Sequence, residues 1–236
     1  MIRCKWCNLK NKKYIEYHDK EWCKPNFDDK YLFEMLILES FQAGLSWECV
    51  LNKREDFRKA FDNFDVEKIC NYNDEKIQEL LKNEKIIRNK LKINATINNS
   101  KIFKKIQNEY GTFHNYLKTF TNDVIIYEID KTTNQLSDDL SKDLQKRGMK
   151  FVGSTIIYSY LQAIGIIYSH DKECFMYKND QNNKGCVVMD EKKEWNYFFE
   201  YWIKLLSSKV RILCLVLFIF LLFYDTMQKN QGGYKC

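Results

Sequence analysis

This 236-residue sequence predicts an all-α fold, on three observations. It holds only 8 glycines and a single proline, Pro25, too few for the dense turns of a β-sandwich or barrel. Apolar residues make up 45% of the chain, which is enough to fill a core and excludes a disordered tail. Several stretches place those apolar residues at helical spacing behind side chains that cap helix N-termini.

The clearest helix runs from Asp28 to Ala43, where Leu32, Phe33, Leu36, Ile37 and Phe41 recur at that spacing behind Asp28 and Asp29. Gly44 should end it, and Ser46 is placed to cap a second helix carrying Trp47, Val50 and Leu51. Glu39 and Trp47 would then flank a tight helix-turn-helix. Asp65 and Asn73 introduce short helices ending at Leu81, and the run Ile86–Ile97 reads as another after a brief turn. Ser137 opens a helix through Leu140 and Leu144 that stops at Gly148, and a last one extends from Ser154 to Gly165. The stretch Val124–Ile129 is open between a strand and a buried loop. No internal repeat is visible.

Composition changes after Met176. Residues 177–193 are rich in Asn, Lys and Asp, as in a linker, and an uninterrupted apolar run follows over Ile212–Tyr224. The run is shorter than the roughly 20 residues a membrane-spanning helix needs, and Lys209 and Arg211 close its N-terminal side. A buried or interfacial helix is expected there, with a tail anchor over Trp202–Tyr224 as the alternative. The chain thus divides into a folded domain over 1–176, a polar segment over 177–208 and an apolar tail over 209–236.

The net charge of +6 permits polyanion binding without requiring it. The polar start MIRCKWCNLKNKK has no apolar segment of the secretory kind, so the 9 cysteines are expected in a reducing compartment, as thiols or metal ligands. Their odd number also argues against a complete disulfide framework.

Cys4-Lys5-Trp6-Cys7 has the spacing of a redox pair or half a zinc site, but there is no second such pair. A thiol and an imidazole recur at each end of the main region: Cys4 with His18, and His170 with Cys174. Four such ligands would close a tetrahedral zinc shell, which is structural when no position is open. Alternatively His170 and Cys174 mark one turn of a helix. His114, lacking a thiol nearby, reads as a surface or core residue. Trp6, Tyr14, Tyr17, Trp22 and Trp47 are ordinary core candidates. Glu39 is not, because it lies near an apolar helix face, and a buried carboxylate requires a cationic or donor-rich partner. The lysines and arginine of 82–105 make a solvated face or, in a helical hairpin, a phosphate-binding one.

Taken together, the segments RCKW at 3–6, YIEYHDKEW at 14–22, LFEMLILESFQAGLSW at 32–47, IIRNKLKI at 86–93 and LSKDLQKRGMKFVGSTIIYSYLQAIG at 140–165, with His170 and Cys174, resemble the DNA-3-methyladenine glycosylase I family of helix-hairpin-helix base-excision repair enzymes. The resemblance spans about Met1 to Cys174 in unbroken order. It implies the glycosylase fold of that superfamily, with its two ends joined by one structural zinc ion on Cys4, His18, His170 and Cys174, leaving Cys7 outside. It makes Glu39 the carboxylate that hydrogen-bonds the base, Trp47 a stacking platform, and Trp6, Tyr14, Tyr17 and Trp22 the other pocket walls. The hairpin falls at Leu81–Ile93, with Arg88, Lys90 and Lys92 toward DNA, although Lys85 and Leu91 stand where relatives tend to have glycines. Gly44 and Leu45 are candidates to fill the gap left by a flipped nucleotide.

The implied partner is double-stranded DNA carrying alkylated purines, inside the cell and without an obligate protein partner. Methylation at N3 makes adenine cationic and its glycosidic bond labile, so the expected tasks are extracting the base and binding it selectively. Residues 150–155 contain no acid where many superfamily relatives place a catalytic Asp, so hydrolysis without strand cleavage is expected. A non-catalytic, zinc-stapled DNA-binding module is the competing reading.

Overall fold

The computed structural model describes residues 1–178, which fall within one compact unit. The polar segment beyond Lys178, the apolar run Ile212–Tyr224 and the suggested tail anchor lie outside the described residues. Among those described, no helix is long and apolar enough to cross a membrane.

The helices are α1 (Lys12–Lys20), α2 (Asp29–Gln42), α3 (Trp47–Asn52), α4 (Arg54–Ala60), α5 (Val66–Cys70), α6 (Asp74–Lys82), α7 (Lys90–Tyr110), α8 (Phe113–Thr121), α9 (Gln135–Lys146) and α10 (Ser154–Ala163). The described fold is mostly helical. Its one sheet is a two-residue parallel pairing of β1 (Ile126–Tyr127) with β2 (Ile167–Tyr168), so the ambiguous stretch Val124–Ile129 contains a short strand.

Local chemistry sets the boundaries. Asp28, Ser46, Asp65 and Asn73 each accept a hydrogen bond from a backbone N–H in the first turn of the helix that follows, satisfying a donor the helix cannot satisfy itself. Gly44 turns the chain between α2 and α3 at φ +77°. Two expected boundaries move. The helix expected over Ile86–Ile97 begins at Lys90, because Asn89 caps it and residues 83–89 form the hairpin turn; it then continues to Tyr110 and stops at Gly111. The helix expected from Ser137 begins at Gln135. Asn134 is its cap, and Ser137 returns a bond from the third position in a reciprocal capping box.

The central element is α2, which packs against α3, α7, α8 and α10. Every residue from Leu32 to Phe41 is buried, so Glu34 and Glu39 are carried into the interior with the apolar side chains. Glu34 is neutralised there by Arg54 and Arg58 of α4, and Arg54 also pairs with Glu21. Behind α10, Gly165 at φ +81° lies against the backbone of Lys24 and Pro25, where a Cβ would sit 2.3 Å from the proline nitrogen. That contact seats the chain leading into the site below.

Candidate active site and metal centre

Along α1, Tyr14, Tyr17 and His18 fall on one inward face, since residues three and four apart share a side of a helix. This face meets α2 at Glu39 and α3 at Trp47, which the Gly44 turn sets side by side. The result is a cavity of about 310 Å³ lined by Trp6, Tyr14, Tyr17, Trp22, Glu39 and Trp47. Trp6 contacts Trp22 at 4.6 Å and Tyr14 at 5.2 Å between ring centroids, and Tyr17 tilts against Trp47 at 5.3 Å.

The structure therefore brings together all six residues singled out for the pocket. It adds Gln42, Asp130, Lys131, Ser159, Gln162, Ser169 and Asp171 to the lining. Gln42 lies one turn beyond Glu39 on α2, and Ser159 and Gln162 are three apart on α10, so polar residues on otherwise apolar helices were the available signal. Asp130 and Ser169 carry no such signal, because the β1–β2 pairing brings their segments together.

Glu39 is 3% exposed, and its Oε2 has no hydrogen-bond partner among the described residues. Burial alone pushes its carboxyl up to about 8. The buried Nε1 of Trp47 is also without a partner there. An acceptor and a donor are thus left unmatched at the wall of one aromatic cavity.

Directly behind that wall, the ligand atoms of Cys4, His18, His170 and Cys174 all lie within 4.8 Å of one another, and all four residues are buried. The Cys4 and Cys174 Sγ atoms are 3.4 and 3.6 Å from His170 Nδ1, and Cys174 Sγ is 3.4 Å from His18 Nε2. His170 and Cys174 lie in the turn after β2, not on one turn of a helix. His18 Nδ1 is fixed by Asp19 at 2.8 Å, and Asp19 is gripped by both arms of Arg3. The Arg3 guanidinium holds the Asp19 carboxyl down at about 2. Burial lowers His170 to about 4 and raises the Cys4 thiol. This cluster could hold a metal ion, which would favour the thiolate and neutral imidazole forms. It joins the N-terminal segment to the end of the described chain and sits against the pocket, with His170 4.7 Å from Trp22 and His18 5.4 Å from Trp6. Cys7 is buried outside the cluster, and His114 stacks on Phe27 at 4.4 Å.

Of the hairpin cations, Arg88 and Lys90 are exposed, with Arg88 loosely paired to Glu84 at 3.4 Å. Lys92 differs from expectation. It is 7% exposed, and its ammonium donates to the Phe41 and Ala43 carbonyls at 2.8 and 2.6 Å, so it faces the interior rather than DNA. At the Gly44 turn, Leu45 is 41% exposed.

The methyladenine glycosylase family model matches residues 6–177. The chain belongs to the methyladenine glycosylase family. It is 40% identical over 188 residues to DNA-3-methyladenine glycosylase 1 of Escherichia coli (strain K12), covering 77% of this chain and 100% of that protein. It is 38% identical over 178 residues to the DNA-3-methyladenine glycosylase of Haemophilus influenzae, covering 73% and 96%. A crystal structure of 3-methyladenine DNA glycosylase I matches with a TM-score of 0.72 at 39% identity, over 75% of this chain and 100% of that one. The Staphylococcus aureus 3-methyladenine DNA glycosylase I matches with a TM-score of 0.69 at 33% identity, over 72% and 94%. As a methyladenine glycosylase, the chain has the fold and the ligand cluster its sequence implied.

Proposed function

We propose that this protein excises 3-methyladenine from alkylated double-stranded DNA by hydrolysing the N-glycosidic bond, without strand cleavage. The observation that carries the reading is Glu39: an unpartnered carboxylate buried in an aromatic cavity, costly unless a cation or donor arrives. A purine methylated at N3 and still attached to the sugar is such a cation. Its edge donates to Glu39 in the ionised form, and the Trp47 indole adds cation–π attraction of about 1 to 2 kcal/mol in a dry pocket. Unmodified adenine, neutral and less electron-poor, gains little from either group.

The cation also accounts for the sparse machinery. When the C1′–N9 bond breaks, its electron pair leaves with the base and cancels the base's positive charge, so no protonated leaving group is required. Water then adds to C1′ and releases a proton to solvent, which leaves an abasic site. Residues 150–155, leading into α10, supply no acid and none is called for. Trp6, Tyr14, Tyr17 and Trp22 exclude water and hold the base in line with Glu39. Arg88 and Lys90 would contact phosphates, and Gly44 with Leu45 would enter the gap left by the flipped nucleotide. Solved relatives include a 3-methyladenine complex of a tyrosine-to-phenylalanine variant, and a glutamate-to-glutamine variant of the Staphylococcus aureus protein.

The metal in this reading is zinc. A tetrahedron with bonds of about 2.0 to 2.3 Å has edges of about 3.3 to 3.8 Å, and three of the sulfur-to-nitrogen separations, Cys4 to His170, Cys174 to His170 and Cys174 to His18, are 3.4 to 3.6 Å. Four protein ligands, Cys4, His18, His170 and Cys174, leave no open position, so the ion would staple the chain and stiffen Trp6 and Trp22 without entering the chemistry. The test is release of free base from methylated duplex DNA, at a site with DNA inside the cell. A non-catalytic DNA-binding module would retain the DNA and release nothing.

A further inference from the structure

Lys92 is a hairpin cation that the charge pattern assigns to DNA and that the structure turns inward. It is the third residue of α7, immediately after the hairpin turn, yet its ammonium reaches back to the C-terminal end of α2, to the carbonyls of Phe41 in the helix's last turn and of Ala43, the residue that caps it. Terminal carbonyls of a helix lack partners within it, and a cation there is favoured by the helix dipole. The capped residue Ala43 directly precedes Gly44 and Leu45. One buried side chain therefore bridges the hairpin and the exposed turn that follows Glu39's helix.

A second lysine runs the opposite way. Lys53, at the end of α3, donates from Nζ to the Lys85 carbonyl within the hairpin turn at 3.0 Å, with the Glu84 carbonyl at 3.5 Å. The hairpin is thus tied to the α2–α3–α4 corner at both of its ends. The ring of Phe151, in the loop before α10, lies 5.9 Å from the Lys92 ammonium. Those ties engage backbone carbonyls, whose positions define the loops themselves.

We propose that Lys92 is a positioning residue that locks the Gly44–Leu45 turn to the phosphate-gripping hairpin, so that duplex engagement and insertion into the base gap occur in fixed register. The proposal rests on the glycosylase reading for its consequence, but not for the linkage. Its signature is a separation of two functions. The pocket around Glu39 and Trp47 keeps its shape when the lock is removed, while extraction of a base from duplex DNA suffers.

The experiment uses the full chain as wild type, Lys92→Met and Lys92→Arg. Lys92→Met keeps the stem's packing and removes the donors; Lys92→Arg keeps donors for the two carbonyls. In Lys92→Met, excision from methylated duplex is expected to fall at least tenfold and affinity for free 3-methyladenine, followed by tryptophan fluorescence, to stay within twofold. Hydrogen exchange at residues 43–46 and 83–90 should rise together at least tenfold, with α10 unchanged, and Lys92→Arg should recover most of both losses. If Lys92→Met does not fold, Lys92→Gln, which keeps a single shorter donor, undergoes the same comparison. Unchanged exchange at 43–46, or a loss of free-base affinity in step with excision, overturns the proposal. Wild-type protein that releases no base would overturn the glycosylase reading, and the exchange data would still decide the linkage.

Discussion

Replacing Glu39 by Gln should make the protein more stable and less active, by amounts that depend on pH. The carboxyl is carried from an ordinary value of 4.5 up to about 8 by burial alone. At about 1.4 kcal/mol per unit, that displacement corresponds to roughly 5 kcal/mol of stability once the group is fully ionised. The sign follows from proton counting. Between about pH 4.5 and pH 8 the folded state holds a proton on Glu39 that the unfolded chain has released, so stability is fully present below 4.5 and declines as pH rises through 8. Glutamine has no proton to lose. The difference in unfolding free energy between Glu39→Gln and wild type should therefore grow from pH 5 to pH 9 by several kcal/mol. Urea unfolding of both proteins at pH 5, 7 and 9 measures it, and the other titrating groups cancel in the difference. Excision by the variant should drop about a hundredfold, the value of a charge-assisted hydrogen bond of roughly 3 kcal/mol. A stability difference that is flat with pH would refute the argument that Glu39 is held buried and unpaired, and near wild-type excision would refute its role toward the base.

Three further outcomes test the frame around that site. Cys4→Ser and His170→Ala should each lose bound metal and lower the melting temperature while the remaining folded enzyme still releases base; metal-free variants that melt with the wild type would remove the structural role. Gly165→Ala should destabilise by at least about 3 kcal/mol in denaturant unfolding, since its Cβ would sit 2.3 Å from the Pro25 nitrogen at φ +81°, and a loss under 1 kcal/mol would show that the contact relaxes freely. A chain ending at Lys178 should match the full chain in base release and melting temperature, and loss of excision on that truncation would place part of the function in the segment beyond.

What the sequence reveals about the fold tracks how local the cause is. Asp28, Ser46, Asp65 and Asn73 are legible as caps because each bonds a backbone amide within its own helix's first turn. Helix α1 is invisible to apolar periodicity because its inner face is Tyr14, Tyr17 and His18, residues whose polar atoms mask their burial. The start of α7 departs from the apolar pattern for a related reason: Ile86 and Ile87 continue that pattern through a turn that only the Asn89 cap interrupts. Within the site, the ligand cluster and the aromatic walls were readable from residue type and family likeness. Asp130, Ser169 and Asp171 were not, since their presence depends on Ile126 pairing with Ile167 across the intervening helices.

The two buried glutamates of α2 show why the pocket is more than a gap in the packing. Glu34 and Glu39 share a helix and are almost equally hidden, at 6% and 3% exposure, so burial alone does not distinguish them. Glu34 is surrounded by Arg54 and Arg58, which complete its charge balance within the fold. Among the described residues no cation pairs with Glu39: Lys131, which also lines the cavity, is paired with Glu128 at 2.7 Å, and the one buried lysine near the end of Glu39's helix is occupied with the carbonyls of Phe41 and Ala43. A fold that neutralises one buried acid with two guanidiniums has the means to neutralise the other. Leaving Glu39 unpaired lowers stability and creates a site whose missing partner must come from outside, must be positively charged or rich in donors, and must be flat enough to lie against indole and phenol rings. A methylated purine still bonded to its sugar meets all three conditions, and it ceases to be cationic once it is released.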